Sequence, residues 1–203
     1  MLKQELKKLF PDAKCELNYH NIFELSVAVI LSAQTTDKSV NLVTPTLFKK
    51  YPTLFDLSNA NVSDVEQIIK SIGLYKRKSQ LIIDFSKTVI SNFNGVIPDN
   101  IEDLVTIPGV GRKTANVIVS EGYKLPGLAV DVHVSRVSKR LGLVPLDYDV
   151  VQIEHALKEM FDKSEWHEIH HLLIFMGRYK CKAQKPNCLE CPFISRCTYH
   201  KNR

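Results

Sequence analysis

The chain has 203 residues, 44% of them apolar and 24% charged, with glycine and proline together at only 17 positions. That profile fits one large globular domain or two small ones and excludes disordered, collagen-like and repeat architectures. The net charge of +5 is unevenly laid out: residues 178–203 hold seven basic side chains against one acid, which puts +6 there and −1 on everything before. No apolar run approaches the ~20 residues a bilayer span needs, and Met1-Leu2-Lys3-Gln4-Glu5 lacks a signal-peptide pattern, so the expectation is a cytoplasmic protein with no membrane partner.

Helical patterning runs through most of the chain. The spacing predicts a helix over 36–51, then another in which Val62, Val65, Ile68, Ile69 and Ile72 recur at helical intervals behind a Ser63–Glu66 capping box. A long helix follows over 75–93, closed by Asn94-Gly95 and Pro98, and Asp99 with Glu102 can open a short one. Tyr123-Lys124-Leu125-Pro126-Gly127 breaks the pattern and is the best seam in the sequence. Val130-Asp131-Val132-His133-Val134 alternates as a strand would, yet Val130, Val134, Val137 and Leu141 form a helical stripe and no second strand is there to pair with it. Helices over 149–161 and 165–179 complete an all-α reading, and from Lys182 onward the chain reads as a loop wound around cysteines.

The stretch Ile107-Pro108-Gly109-Val110-Gly111-Arg112-Lys113-Thr114-Ala115 carries the most chemistry. Pro108 and Gly109 stop one short helix and Gly111 opens the next. Glycines permit the tight turn and bare the N–H groups of a helix start, a cradle suited to phosphate. Phosphate contacts carry position but no sequence information, and the pattern reads as a helix-hairpin-helix. Lys113 lies in the first turn after the glycines, where the helix dipole and the adjacent Arg112 both disfavour an ammonium. An amine must lose its proton before it can attack carbon; read locally, a plain phosphate contact is the simpler role. Asp131, 18 residues on, can stabilise developing positive charge or can simply cap a helix.

Cys181, Cys188, Cys191 and Cys197 follow a C-x6-C-x2-C-x5-C spacing. In a chain that is not exported, clustered thiols read as metal ligands before disulfides, and the spacing alone leaves zinc and iron–sulfur both open. Cys15 stands apart and reads as a small packed hydrophobe. The basic end suits a polyanion, although a solvated surface explains the charge equally well.

These segments together resemble the endonuclease III family of DNA-repair glycosylases. The likeness rests on Leu31-Ser32-Ala33-Gln34-Thr35-Thr36-Asp37, Ile72-Gly73-Leu74-Tyr75, Ile107 to Asn116, Ala129-Val130-Asp131-Val132-His133, and Gly177-Arg178-Tyr179 running into the cysteines. It spans essentially the whole chain. The resemblance implies two helical domains: a six-helix barrel over 21–128 with its helix-hairpin-helix at about 104–123, and a cluster domain over 129–203 completed by 1–20. It implies Lys113 as nucleophile, Asp131 as assisting carboxylate, and the four cysteines as ligands of a [4Fe–4S] cluster. Gln34 and Leu74 match positions that fill the gap left in the duplex; read in isolation they are a loop or capping residue and a core residue. Gly109, Gly111, Arg112, Lys182 and Lys185 would meet the DNA backbone.

The implied activity is removal of oxidised pyrimidines from double-stranded DNA followed by β-elimination at the abasic site, by a monomer. One departure is Met176-Gly177-Arg178, where bacterial members often have His-Gly-Arg; it reads as a packing variant. The alternatives are a non-catalytic DNA-binding protein built on the hairpin and metal loop, and a monofunctional mismatch glycosylase of the same superfamily, which Lys113 disfavours. Adenine-DNA glycosylase resembles the chain less, since it lacks the hairpin lysine.

Overall fold

The computed structural model describes residues 2–201 and is all-helical, with no strand among the described residues; Arg203, counted in the basic run, lies outside them. The chain divides into two compact units, one formed by Glu16–Leu125 and the other by the residues up to Cys15 with those from Pro126 on. The seams therefore fall at 15/16 and 125/126. No helix is long and apolar enough to cross a membrane.

In the Glu16–Leu125 unit, helix α2 (Ile22–Leu31; α1 belongs to the other unit) is the axis of the core. Its residues Phe23 and Leu25–Leu31 are all buried, as expected of a helix apolar on every side. Around it pack α3 (Asp37–Lys50), α6 (Tyr75–Phe93), α8 (Arg112–Val117) and the π-helical turn Ile118–Gly122 that continues α8. Helices α4 (Leu54–Ser58) and α5 (Val62–Ile69) lie against α6, and α7 (Ile101–Leu104) against α8.

Side-chain caps define most of the starts. Asn21 accepts from Glu24 N–H at 2.9 Å, Thr36 from Ser39 N–H at 3.2 Å, and Asn100 from Asp103 N–H at 2.8 Å. The capping box expected at Ser63 and Glu66 does not form: Asn61 caps α5 by accepting from Ser63 N–H at 2.9 Å, which places Ser63 inside the first turn. Asn100, not Asp99, likewise caps α7. A reciprocal box is found instead at Thr53 and Asp56.

The second unit gathers α1 (Leu2–Leu9), α9 (Val132–Arg140), α10 (Val150–Met160) and α11 (Trp166–Phe175), with a π-helical turn at Met176–Lys180 and a short α12 (Thr198–Lys201). Its core joins Leu6, Val134, Val137, Ile153, Leu157, Ile169 and Leu172 with Phe193 of the cysteine segment. The alternating stretch at 130–134 resolves as helix from Val132: Val134 and Val137 are buried while Val132 is 72% exposed. The tail is not all loop, since a 3-10 turn at Ile194–Arg196 leads into α12. Lys3 pairs with Glu165 at 2.5 Å and Glu168 at 3.2 Å, Lys7 with Glu168, and Arg196 with Glu5, fixing α1 to α11 and to the cysteine segment.

Candidate active site

The hairpin between α7 and α8 is built as the glycines require. Gly109 has φ +82°, and a side chain there would also meet Ile30 Cγ2 at 3.3 Å and Leu81 Cβ at 3.5 Å, so the turn is pressed onto α2 and α6. Gly111 is the extended N-cap of α8, with no side chain over the first N–H groups and open space where its Cβ would be. Arg112 and Lys113 occupy the first turn and are exposed. The Lys113 ammonium has no hydrogen-bond or ion-pair partner among the described residues.

Asp131 is the half-buried N-cap of α9 in the other unit. One oxygen, Oδ1, accepts from both His133 N–H and Val134 N–H at 2.8 Å. Oδ2 makes no hydrogen bond among the described residues. The capping role and an available carboxylate oxygen thus coexist. Two residues on, burial lowers the imidazole pKa of His133, opposed by the Asp131 charge. Gly177 explains itself here: a Cβ would stand 2.7 Å from His133 Cβ.

Gln34 and Leu74 sit on two exposed turns of the Glu16–Leu125 unit. Both hold left-handed backbone, φ +54° and +58°, a conformation that costs a non-glycine residue about 1–2 kcal/mol. Leu74 is not a core residue: at the uncapped start of α6 its side chain leaves the buried stripe and is 54% exposed. Both turns are thus strained as well as exposed.

Cys181, Cys188, Cys191 and Cys197 line one small cavity, open to solvent, together with Leu141, Met176 and Ile194. All four are free thiols. The donor set fits an iron–sulfur cluster: four soft sulfur ligands in an apolar pocket. Burial pushes the Cys191 thiol up, opposed by a hydrogen bond from the Phe193 backbone, and ligation to a metal would favour the thiolate. Met176, 1% exposed, packs into this wall as an apolar variant. The expected backbone contacts Lys182 and Lys185 are both exposed, Lys185 with φ +47°.

Three residues at these sites escaped the sequence reading. Arg136 donates Nε to Cys181 O at 3.0 Å and Nη2 to Gly177 O at 2.8 Å. Arg140 donates Nη1 to Lys182 O at 2.7 Å and lies over the Tyr199 ring. The only signal for them is an i,i+4 pair of arginines downstream of Asp131. The third, Lys78, is buried with its ammonium on Thr35, the neighbour of Gln34, and has no mark in local sequence.

A model of the HhH-GPD superfamily of base excision DNA repair proteins matches residues 27–163, so the helix-hairpin-helix is that of a repair protein. Endonuclease III of Bacillus subtilis (strain 168) is 49% identical over 195 residues, covering 96% of this chain and 89% of its own. The structure of a trapped endonuclease III–DNA covalent intermediate superposes with a TM-score of 0.96 at 48% identity, covering 99% of this chain and 94% of the other. A thermostable thymine-DNA glycosylase shares the fold, with a TM-score of 0.89 at 18% identity over 100% and 96% of the two chains. The chain belongs to the endonuclease III family.

Proposed function

We propose that the protein excises oxidised or ring-saturated pyrimidines from duplex DNA and then cuts the strand at the abasic sugar, with Lys113 as nucleophile and Asp131 as the assisting carboxylate. The observation that carries this reading is Lys113 itself: an exposed amine, free of partners among the described residues, one residue beyond the N1 position of a helix opened by a bare glycine turn. Its position also suits a phosphate contact, so family membership is what argues against the alternative of a non-catalytic DNA-binding module.

The chemistry follows from these groups. A base inside the stack is out of reach, so it is first flipped out, and weakened stacking makes a damaged pyrimidine cheaper to extrude. Gln34 and Leu74 fill the space it leaves. Neutral Lys113 Nζ forms a bond to the anomeric C1′ as the C1′–N glycosidic bond breaks, and the base departs with the electron pair and takes a proton. The ionised Asp131 Oδ2 stabilises the positive charge that develops on the sugar. Ring opening gives a Schiff base, which acidifies C2′; loss of that proton expels the 3′ phosphate by β-elimination, and water then releases Nζ.

Gly109 and Gly111 offer backbone N–H groups and Arg112, Lys182 and Lys185 offer charge to the phosphates. The four cysteines would hold a [4Fe–4S] cluster whose contribution is to fix the basic loop.

Borohydride trapping tests the assignment. On abasic duplex DNA the protein should become covalently linked, and Lys113→Gln should lose both the cross-link and β-elimination while still binding. Arg112→Gln, which removes a neighbouring positive charge, should bind more weakly and still cross-link. A Lys113→Gln protein that traps normally would mean that another amine does the chemistry.

A further inference from the structure

The Lys78 side chain is 3% exposed in the first turn of α6, and its ammonium donates to Thr35 Oγ1 at 2.5 Å. No carboxylate pairs with it among the described residues. Three effects make it a poor choice for stability. Burial disfavours the charge and pushes the amine below the ordinary lysine range. The positive end of the α6 dipole disfavours it again, since Leu74 supplies no side-chain cap and the first turn holds no acid. A neutral hydroxyl offers little Coulombic return for a desolvated cation. An apolar side chain of the same length would suit this site better.

The location supplies the reason for a lysine. Thr35 directly follows Gln34 in the turn between α2 and α3, whose backbone is closed by Thr35 N–H donating to Ser32 O at 3.0 Å. Lys78 N–H donates to Leu74 O at 3.0 Å, holding the turn that carries Leu74. The two turns meet at Gly73, where an added Cβ would lie 4.0 Å from Thr35 Oγ1. One residue therefore grips both strained turns, by its side chain on one and its backbone on the other. Backbone in the left-handed region persists only where its surroundings over-determine it.

We propose that Lys78 is a positioning residue whose buried ammonium, through Thr35, locks the turn bearing Gln34 against the turn bearing Leu74, so that both are set to enter the duplex when a base leaves. This rests on the reading of Gln34 and Leu74 as gap-filling residues. Lys78 touches neither DNA nor the reacting atoms; it acts through Thr35.

The test compares Lys78→Met, Thr35→Val and Thr35→Ser in the full chain on two substrates. One is duplex DNA with an oxidised pyrimidine, where a gap must be filled. The other is single-stranded DNA with a preformed abasic site, where there is none. A misplacement of about 1 Å can cost up to ~100-fold in rate, so Lys78→Met and Thr35→Val should excise from duplex at least ~10-fold more slowly while single-strand cleavage stays within about twofold. Thr35→Ser, which keeps the hydroxyl, should behave as wild type. Lys78→Met should melt no lower than wild type, a result a merely structural lysine would not give.

Unchanged duplex excision in Lys78→Met and Thr35→Val overturns the proposal, as does a parallel loss on both substrates with a lowered melting point. Gln34→Ala and Leu74→Ala separate the two readings. If they spare duplex excision, the gap-filling reading fails. If they impair it and Lys78→Met does not, only the role of Lys78 fails.

Discussion

At Asp131 a helix cap and a candidate catalytic charge share one carboxylate, and chemistry can part them. Asparagine caps as well as aspartate, and its carbonyl can still accept from His133 and Val134 N–H, so Asp131→Asn should leave the melting temperature nearly unchanged. It removes the charge facing the cationic transition state, and losing one aligned group of this kind commonly costs on the order of 100-fold or more in rate. Single-turnover base release on lesion DNA checks this; near-normal turnover would reduce Asp131 to its cap. The roles proposed for Lys113 and Asp131 come from the family resemblance, whereas the glycine turn before Lys113 and the helix start at Asp131 were legible in the sequence because both settings are local. Lys78 was not, because its partner Thr35 lies 43 residues away and a lysine in a first turn reads as solvated. Leu74 misled in the opposite direction, since nothing local announces its positive φ.

Among the elements, the cysteine segment depends most on something besides its own packing. Phe193 and Cys197 reach the core, but 182–192 contributes no fully buried side chain. Thiolate ligation would hold the rest, so Cys188→Ser should lose the brown absorbance of an iron–sulfur protein together with protease resistance over 181–197. A colourless wild-type protein carrying one zinc would refute that ligand choice and leave the glycosylase reading intact.

Helix α1 is held by the buried Leu6 and, in addition, by charge. Hydrogen bonds from Lys7 to Glu168 and from Lys3 to Glu165 set both carboxyls below the ordinary range. Depressed folded values mean the contribution is complete at neutral pH and is lost as acid protonates the pair. Protection of the α1 amides, relative to their intrinsic exchange rate at each pH, should therefore fall selectively as pH drops below the ordinary carboxylate range, and high salt at pH 7 should mimic it weakly. The starts of the helices expected over 36–51, 75–93 and 149–161 were readable, since Thr36 and Asp149 cap as placed and α6 begins at Tyr75, but α1 and the wholly apolar α2 were not. Asn61 and Asn100 displaced the expected caps by one or two residues because several polar side chains competed for the same first-turn N–H groups.

For the molecule as a whole, the charge imbalance predicts how DNA is held. If about six or more phosphates are neutralised, affinity should drop by orders of magnitude between ~50 and ~200 mM salt, and Lys182→Ala or Lys185→Ala should each reduce the slope by about one without altering lesion preference. Salt-independent binding would defeat the electrostatic account. The unit boundaries were only partly readable. The Pro126-Gly127 break lies at one seam, but residues 16–20 join the Glu16–Leu125 unit through irregular bonds: Asn18 N–H to Asn41 Oδ1 at 2.9 Å, Asn41 Nδ2 to Glu16 O at 2.8 Å, and Tyr19 Oη–H to Glu121 at 3.2 Å. Such bonds have no period in sequence. That discontinuity bears on how the protein is made. On the ribosome, Glu16–Leu125 emerges as one uninterrupted stretch with all of its own partners in hand. Helix α1 is translated before that stretch yet must wait for Glu165 and Arg196, more than 150 residues later. The thiols at 181–197 emerge after the whole of Glu16–Leu125, so any cluster they take up is loaded onto a chain whose hairpin lysine has already been synthesised.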